Sequence, residues 1–197
     1  MTLEFIEEGH IYTFDGQEVP SVSEIIRFIS KEVYGDIDEE TLQYAAERGT
    51  AIHKACEVLD EYGIVECTND ILPYLMAYKA FLEEHTVEWE LIEQSLYSPD
   101  YGYAGTIDRY GMLDGNKVVL DIKSCSKIQK VLVKAQLNGY FYLATDNDYE
   151  VDSLYCLQLK PSGKYTLYEV SKREGEFENC LMLHEALLRK QPRGGIK

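Results

Sequence analysis

The sequence predicts a single α/β (α+β) domain, a β-sheet flanked by helices behind an N-terminal hairpin and helical region. Three observations carry this. At 197 residues and 45% hydrophobic, the chain is long enough to bury one full core. Between Ser21 and Glu84 apolar residues recur at helical spacing, whereas from Val87 they alternate as in strands, interrupted by two further helical segments. There is no internal repeat, low-complexity linker or second domain, so 1–197 reads as one unit. It divides into a hairpin and helical part (1–86), a sheet core (87–170) and a C-terminal helix and tail (171–197).

The chain opens with "HIYTFDGQEVPSV", alternating apolar residues around Asp15-Gly16, a strong short-hairpin signal. Ser21 with Glu24 three residues on forms a capping box for a helix to about Ser30. "KEVYGDIDEE" is expected as a loop, with Asp38 capping a helix from about Glu39 to Tyr62 whose buried stripe is Leu42, Ala45, Ile52, Cys56 and Leu59. A further helix is expected from about Asn69 to Glu84. Strands follow at "VEWELIEQSLYS", "YAGTIDRYGML" and "KVVLDIKS", then a helix through "VLVKAQLNGYFYLAT". Strands "VDSLYCLQLK" and "KYTLYEV" and a last helix near Glu174 to Lys190 complete the order. The tail "QPRGGIK" has nothing to bury.

Composition removes several classes of function. No apolar run approaches the ~18 residues of a membrane span, and the acidic start "MTLEFIEEGH" is unlike a signal peptide, so a soluble, cytoplasmic protein is expected. Five cysteines form no C-x-x-C pair and leave an odd one, which argues for reduced thiols and against a zinc or iron–sulfur site. The net charge of −16 is uneven: residues 1–100 carry 5 Lys and Arg against 23 Asp and Glu, residues 101–197 carry 14 against 12. An acidic body with a local basic groove is therefore allowed, while tight nonspecific duplex binding without a metal is disfavoured.

The stretch "YAGTIDRYGMLDGNKVVLDIKS" concentrates the chemistry. If Asp114-Gly115 is a two-residue hairpin turn, paired residue numbers sum to 229 and Asp108 stands opposite Asp121. Two carboxylates at about 5 Å repel each other unless a cation lies between them. Alternation puts Lys123 on the face of Asp121, with Ile107, Leu120 and Ile122 on the other. Such oxygen donors suit Mg²⁺ or Mn²⁺, which acidify a bound water and neutralise phosphoryl charge, with Lys123 positioning or deprotonating that water. On this pattern alone, two solvated aspartates on an exposed sheet face account for it equally well.

"GTID", "LDIKS" and "QLNGY", preceded by the helical "RGTAIH" (Arg48 to His53) and by "VPSVSEII", resemble the PD-(D/E)XK nuclease superfamily. The likeness is to its RecB-like branch of phage and mitochondrial-type exonucleases, over about Gly16 to Tyr142. That resemblance implies a restriction-endonuclease-like core with a central mixed sheet. It implies His53, Asp108, Asp121 and the Ile122 carbonyl as metal ligands, Lys123 as the catalytic lysine, and Glu93 as a further ligand or a holder of the water. Gln136 and Tyr140 match a Q-x-x-x-Y motif that orients the lysine or contacts a phosphate. The C-terminal cysteine triplet of iron–sulfur members is missing, so no cluster is implied.

The expected function is therefore a Mg²⁺- or Mn²⁺-dependent DNA exonuclease of phage-type recombination or processing, in a bacterial or phage-infected host cytoplasm. Lys127, Lys130 and Lys134 recur at about one helical turn and are candidates to follow a nucleic-acid backbone. Tyr101 and Tyr103 are candidates for base stacking. An acidic helical wall over Glu39 to Glu84 would favour a single strand or an end over intact duplex. No G-x-x-x-x-G-K-[ST] motif occurs, so a cooperating helicase or annealing protein would be a separate chain. The alternatives are a noncatalytic nucleic-acid-binding protein on the same fold and a structure-specific endonuclease.

Overall fold

The computed structural model describes residues 1–35, 37–173 and 175–190, the last two without their side chains; the tail from 191 onward lies outside the described residues. The N-terminal segment is a three-stranded antiparallel sheet, β1 (Leu3–Ile6), β2 (Ile11–Phe14) and β3 (Gln17–Val19), one strand more than the expected hairpin. The extra strand arises because Gly9 and His10 both take positive φ and turn "LEFI" back onto β2.

Ser21 and Glu24 form the predicted capping box, and α1 (Val22–Ile25) follows. The helix is re-aimed at Ile26 and resumes as α2 (Arg27–Tyr34), four residues beyond the expected end at Ser30, so part of the expected loop is helical. α3 (Glu39–Tyr62) starts where Asp38 accepts the Thr41 N–H at 2.8 Å and stops at Gly63 in the left-handed conformation. Its buried stripe is Ile52, Ala55, Cys56 and Leu59. Residues 39–47 are exposed on every face, so Leu42 and Ala45 do not belong to the stripe. α4 (Leu72–Glu84) carries Tyr74, Leu75, Tyr78 and Phe81 inward.

The main sheet has the order β4 (Val87–Ser98), β5 (Tyr103–Leu113), β6 (Asn116–Lys123), β7 (Ser153–Leu159), β8 (Tyr165–Val170). It is mixed: β6 and β7 are parallel, joined by the crossover helix α5 (Lys130–Thr145), and the other neighbours are antiparallel. α6 (Glu176–Lys190) packs on α5. One face of the sheet buries Tyr110, Val119 and Leu154 against α1, α5 and α6. The other buries Val118, Leu120 and Ile122 against α3 and α4.

Asp114-Gly115 is the predicted two-residue turn, both residues at positive φ. The predicted register holds for five pairs, Leu113 with Asn116 through Arg109 with Leu120. The ladder ends there, one pair short of Asp108 and Asp121. β5 is also irregular. Ile107 and Tyr110 join the same core cluster, so strict alternation fails between them and Ile107 lies on the opposite face from Leu120 and Ile122. On β4 the register shifts between Trp89 and Leu91, and Glu93 takes a φ of 46°, costly for a residue with a side chain.

Candidate metal and phosphodiester site

Four elements converge where the β5–β6 ladder ends. His53 comes from α3 beside its buried stripe, Glu93 from the left-handed residue of β4, Asp108 from β5, and Asp121, Ile122 and Lys123 from β6. His53, Glu93 and Asp108 each bring a ligand atom to within 4.8 Å of the others and together can hold a metal ion. The Asp108 carboxylate accepts the Ile122 N–H at 2.7 Å and lies 3.6 Å from His53 Nδ1. His53 Nδ1 is 3.3 Å from Glu93 Oε1, and its Nε2 is 3.0 Å from the carbonyl oxygen of Ile122.

Asp121 stands beside this cluster and is not part of it. Its Oδ1 accepts from Lys123 Nζ at 2.8 Å, while its Oδ2 is buried with no hydrogen-bond partner among the described residues. A buried carboxylate oxygen without a donor costs more than ~1 kcal/mol, and a cation would relieve it. The donor types suit a hard divalent ion as well, since carboxylate oxygens and one imidazole nitrogen, His53 Nδ1, face one another.

Charge explains how these side chains are held. Burial by itself would discharge His53, but Asp108 and Glu93 outweigh it and raise its pKa to about 9, so the imidazolium donates from both nitrogens. Burial, opposed by Lys123 and reinforced by Asp108, lifts Asp121 to about 6. Asp108 is raised by burial as well, against the pull of His53. Lys123 is held above its ordinary value, since Asp121 and Asp108 overcome the effect of burial. That favours its ammonium form, which suits positioning a water or a phosphoryl oxygen.

Gln136 donates to the Tyr140 hydroxyl at 2.9 Å on one face of α5. Burial and then the nearby Asp121 and Asp108 keep that phenol protonated. The two residues hold each other beside the carboxylates, and no bond from either to Lys123 is seen among the described residues. Tyr12 of β2 bonds the Thr106 hydroxyl of β5 at 2.8 Å, which bonds Ser95 of β4 at 2.8 Å.

The nucleic-acid candidates separate. Lys127 and Lys130 are exposed, but Lys127 precedes α5, and Lys134 is half-buried with Nζ 3.7 Å from Glu176. Of the three lysines, Lys134 is the one tethered to a carboxylate. Tyr101 is 46% exposed and leans on Tyr142. Tyr103 is fully buried and donates to the Gly139 carbonyl at 2.8 Å, so it offers no face to a base. Tyr101 lies in the turn before β5, whereas Tyr103 is the first residue of the strand and is carried into the core.

Sequence reasoning missed Arg109, Asp60 and Tyr78. Arg109 is wholly buried; its Nε donates to Asp60 at 2.7 Å and its Nη1 to Glu93 at 3.1 Å and the Asp108 carbonyl at 2.6 Å. Asp60 also accepts from the Tyr78 hydroxyl at 2.7 Å. One signal was present: Asp60 follows His53 by seven residues, which places both on one face of α3.

No family model and no curated protein matches the chain. Among solved structures it is similar to the crystal structure of SSO0001, at 15% identity over 73% of this chain and 74% of that one, with a TM-score of 0.39. It is also similar to an alkaline exonuclease (LHK-Exo) from Laribacter hongkongensis, at 10% identity over 86% of this chain and 87% of that one, with a TM-score of 0.46. Likeness at these scores carries no argument about chemistry, and the site stands on its own geometry. No helix among the described residues is long and apolar enough to cross a membrane.

Proposed function

We propose that this chain is a Mg²⁺- or Mn²⁺-dependent deoxyribonuclease that hydrolyses phosphodiester bonds from a DNA end or single strand. One observation carries the reading: the His53–Glu93–Asp108 cluster lies beside an Asp121–Lys123 pair whose second carboxylate oxygen is buried without a partner. Buried carboxylate oxygens are ordinarily met by a donor, and a cation beside Asp108 would meet this one.

His53, Glu93, Asp108, Asp121 and the Ile122 carbonyl would hold the ion, which when bound would acidify a water and offset charge on the phosphoryl group. The local charges suit a divalent ion. Asp60, Glu93, Asp108 and Asp121 face Arg109, Lys123 and the imidazolium of His53, a deficit of one positive charge. Exchanging the imidazolium proton for a doubly charged ion closes that deficit.

Lys123, fixed on Asp121, would donate to the attacking water or to a phosphoryl oxygen and so set the line of attack. The Gln136–Tyr140 pair supplies a second donor edge next to the carboxylates. Lys127, Lys130 and the exposed Tyr101 would guide the strand. Phage-type recombination or DNA processing is the setting we propose, with any helicase or annealing protein as a separate chain.

The test is digestion of end-labelled single-stranded, linear duplex and closed circular DNA with Mg²⁺, Mn²⁺ or EDTA, comparing the wild type with Lys123→Ala. Metal-dependent loss of linear substrate, abolished by the substitution and absent on closed circles, is expected. Cleavage of circles as fast as linear DNA would make it an endonuclease. No cleavage with either metal would leave a noncatalytic binding protein.

A further inference from the structure

Arg109 has the largest fully buried side chain among the described residues, and its guanidinium lies against the site. Its Nη1 is shared between Glu93 Oε1 and the carbonyl of Asp108, so one donor holds two of the three clustered residues. Behind it, Nε is locked on Asp60, Asp60 is locked by Tyr78, and the guanidinium lies 5.9 Å from the centre of the Tyr78 ring.

Stability alone does not account for this arrangement. A buried ion pair gains little over apolar packing of the same volume, and here Nη2 has no hydrogen-bond partner among the described residues. Glu93 moreover adopts a left-handed backbone, a strain that persists only where surrounding contacts enforce it. Both His53 Nδ1 and Arg109 Nη1 act on Oε1 of Glu93, which leaves Oε2 outside both contacts.

We infer that Arg109, anchored by Asp60 and Tyr78, is a positioning residue that presets Glu93 and the backbone of Asp108 for a divalent cation. Outer contacts of this kind commonly change metal affinity by 10–100-fold. The inference rests on the metal-dependent reading above and extends it inward to a layer that never touches substrate.

The experiment is calorimetric titration of the metal-free full chain with Mn²⁺, without DNA, for the wild type, His53→Ala, Asp60→Asn, Tyr78→Phe and Arg109→Lys. Circular dichroism and thermal melting in EDTA establish that each variant is folded. Wild-type binding weakened by His53→Ala establishes the site; a wild type that binds no Mn²⁺, or binds it equally without His53, defeats the metal reading itself. Given an established site, Arg109→Lys and Asp60→Asn are expected to weaken Mn²⁺ about tenfold, and Tyr78→Phe by less. Their cleavage rate is expected to recover at saturating Mn²⁺, whereas Lys123→Ala is not rescued. Folded Asp60→Asn and Arg109→Lys proteins that bind Mn²⁺ as the wild type does would overturn the positioning role. If Arg109→Lys does not fold, the isosteric Asp60→Asn decides alone.

Discussion

Asp108 caps the backbone amide of Ile122 at 2.7 Å, on the neighbouring strand and just where the β5–β6 ladder stops. The carboxylate supplies the acceptor that a paired strand would have provided, and so opens the sheet without stranding the amide. The Ile122 carbonyl is thereby turned to His53. Asp108→Asn keeps an acceptor for the amide and removes one of the mutually repelling carboxylates. Its melting temperature in EDTA is expected to match or exceed that of the wild type, while the rise on adding Mn²⁺ is lost. Asp108→Ala leaves the buried amide unmet and is expected to be less stable by about 1–3 kcal/mol.

The pH dependence of the metal-free protein follows from two raised pKa values. His53 moves from 6.5 to about 9 on folding, so its contribution to stability is complete below about pH 6.5 and is lost as pH rises through 9. Asp121 moves from 3.8 to about 6, so the folded state takes up a proton that the unfolded state does not, and stability falls over that window too. Melting in EDTA is therefore expected to weaken from pH 4 towards pH 9. With Mg²⁺ the trend reverses across this range, because the ion takes the place of the protons. Parallel melting curves with and without metal would expose an error in either assignment.

A bound ion and the imidazolium proton of His53 exclude each other. Near pH 7.5, Mn²⁺ binding is expected to release about one proton, vanishing above the His53 pKa. Calorimetry in two buffers of different ionisation heat measures this directly. Equal heats in both buffers would remove His53 from the ligand set.

The part of the site legible in the sequence is the part carried by short-range signals. The Asp114-Gly115 turn fixes a register that brings Asp108 within one pair of Asp121, and the stripe of α3 carries His53 inward. The end of the ladder was not legible, because a side chain replacing a backbone partner leaves no mark on the hydrophobic pattern. Arg109 was hidden for another reason. Its anchor Asp60 lies 49 residues earlier, on an element whose packing angle no local signal reports. Tyr103 was misjudged on the same ground: it looks solvated in its own segment and is claimed by a distant partner, the Gly139 carbonyl.

Close packing under the site rests on Gly139 of α5. A Cβ placed there would lie 2.8 Å from the Phe177 ring and 2.9 Å from Val22, at the junction of α1, α5 and α6. Gly139→Ala is expected to cost about 1–3 kcal/mol by overpacking, despite the gain in helix propensity. Chemical denaturation measures it, and a neutral result would mean that α1 and α6 repack freely.

The two exposed lysines and the tethered one make different predictions for DNA. Lys127 and Lys130 are solvated before binding, so a phosphate contact at either releases counterions without breaking an existing pair. Lys134 would first have to leave Glu176. In a Lys123→Ala background, replacing Lys127 and Lys130 with Ala is expected to weaken single-strand binding similarly for all sequences. The salt slope should fall by about 0.7 for each lysine. Lys134→Ala is expected to change the slope less. A double replacement that leaves the slope intact would place the strand elsewhere, and Tyr101→Ala in the same background then tests whether it runs along the outer end of α5.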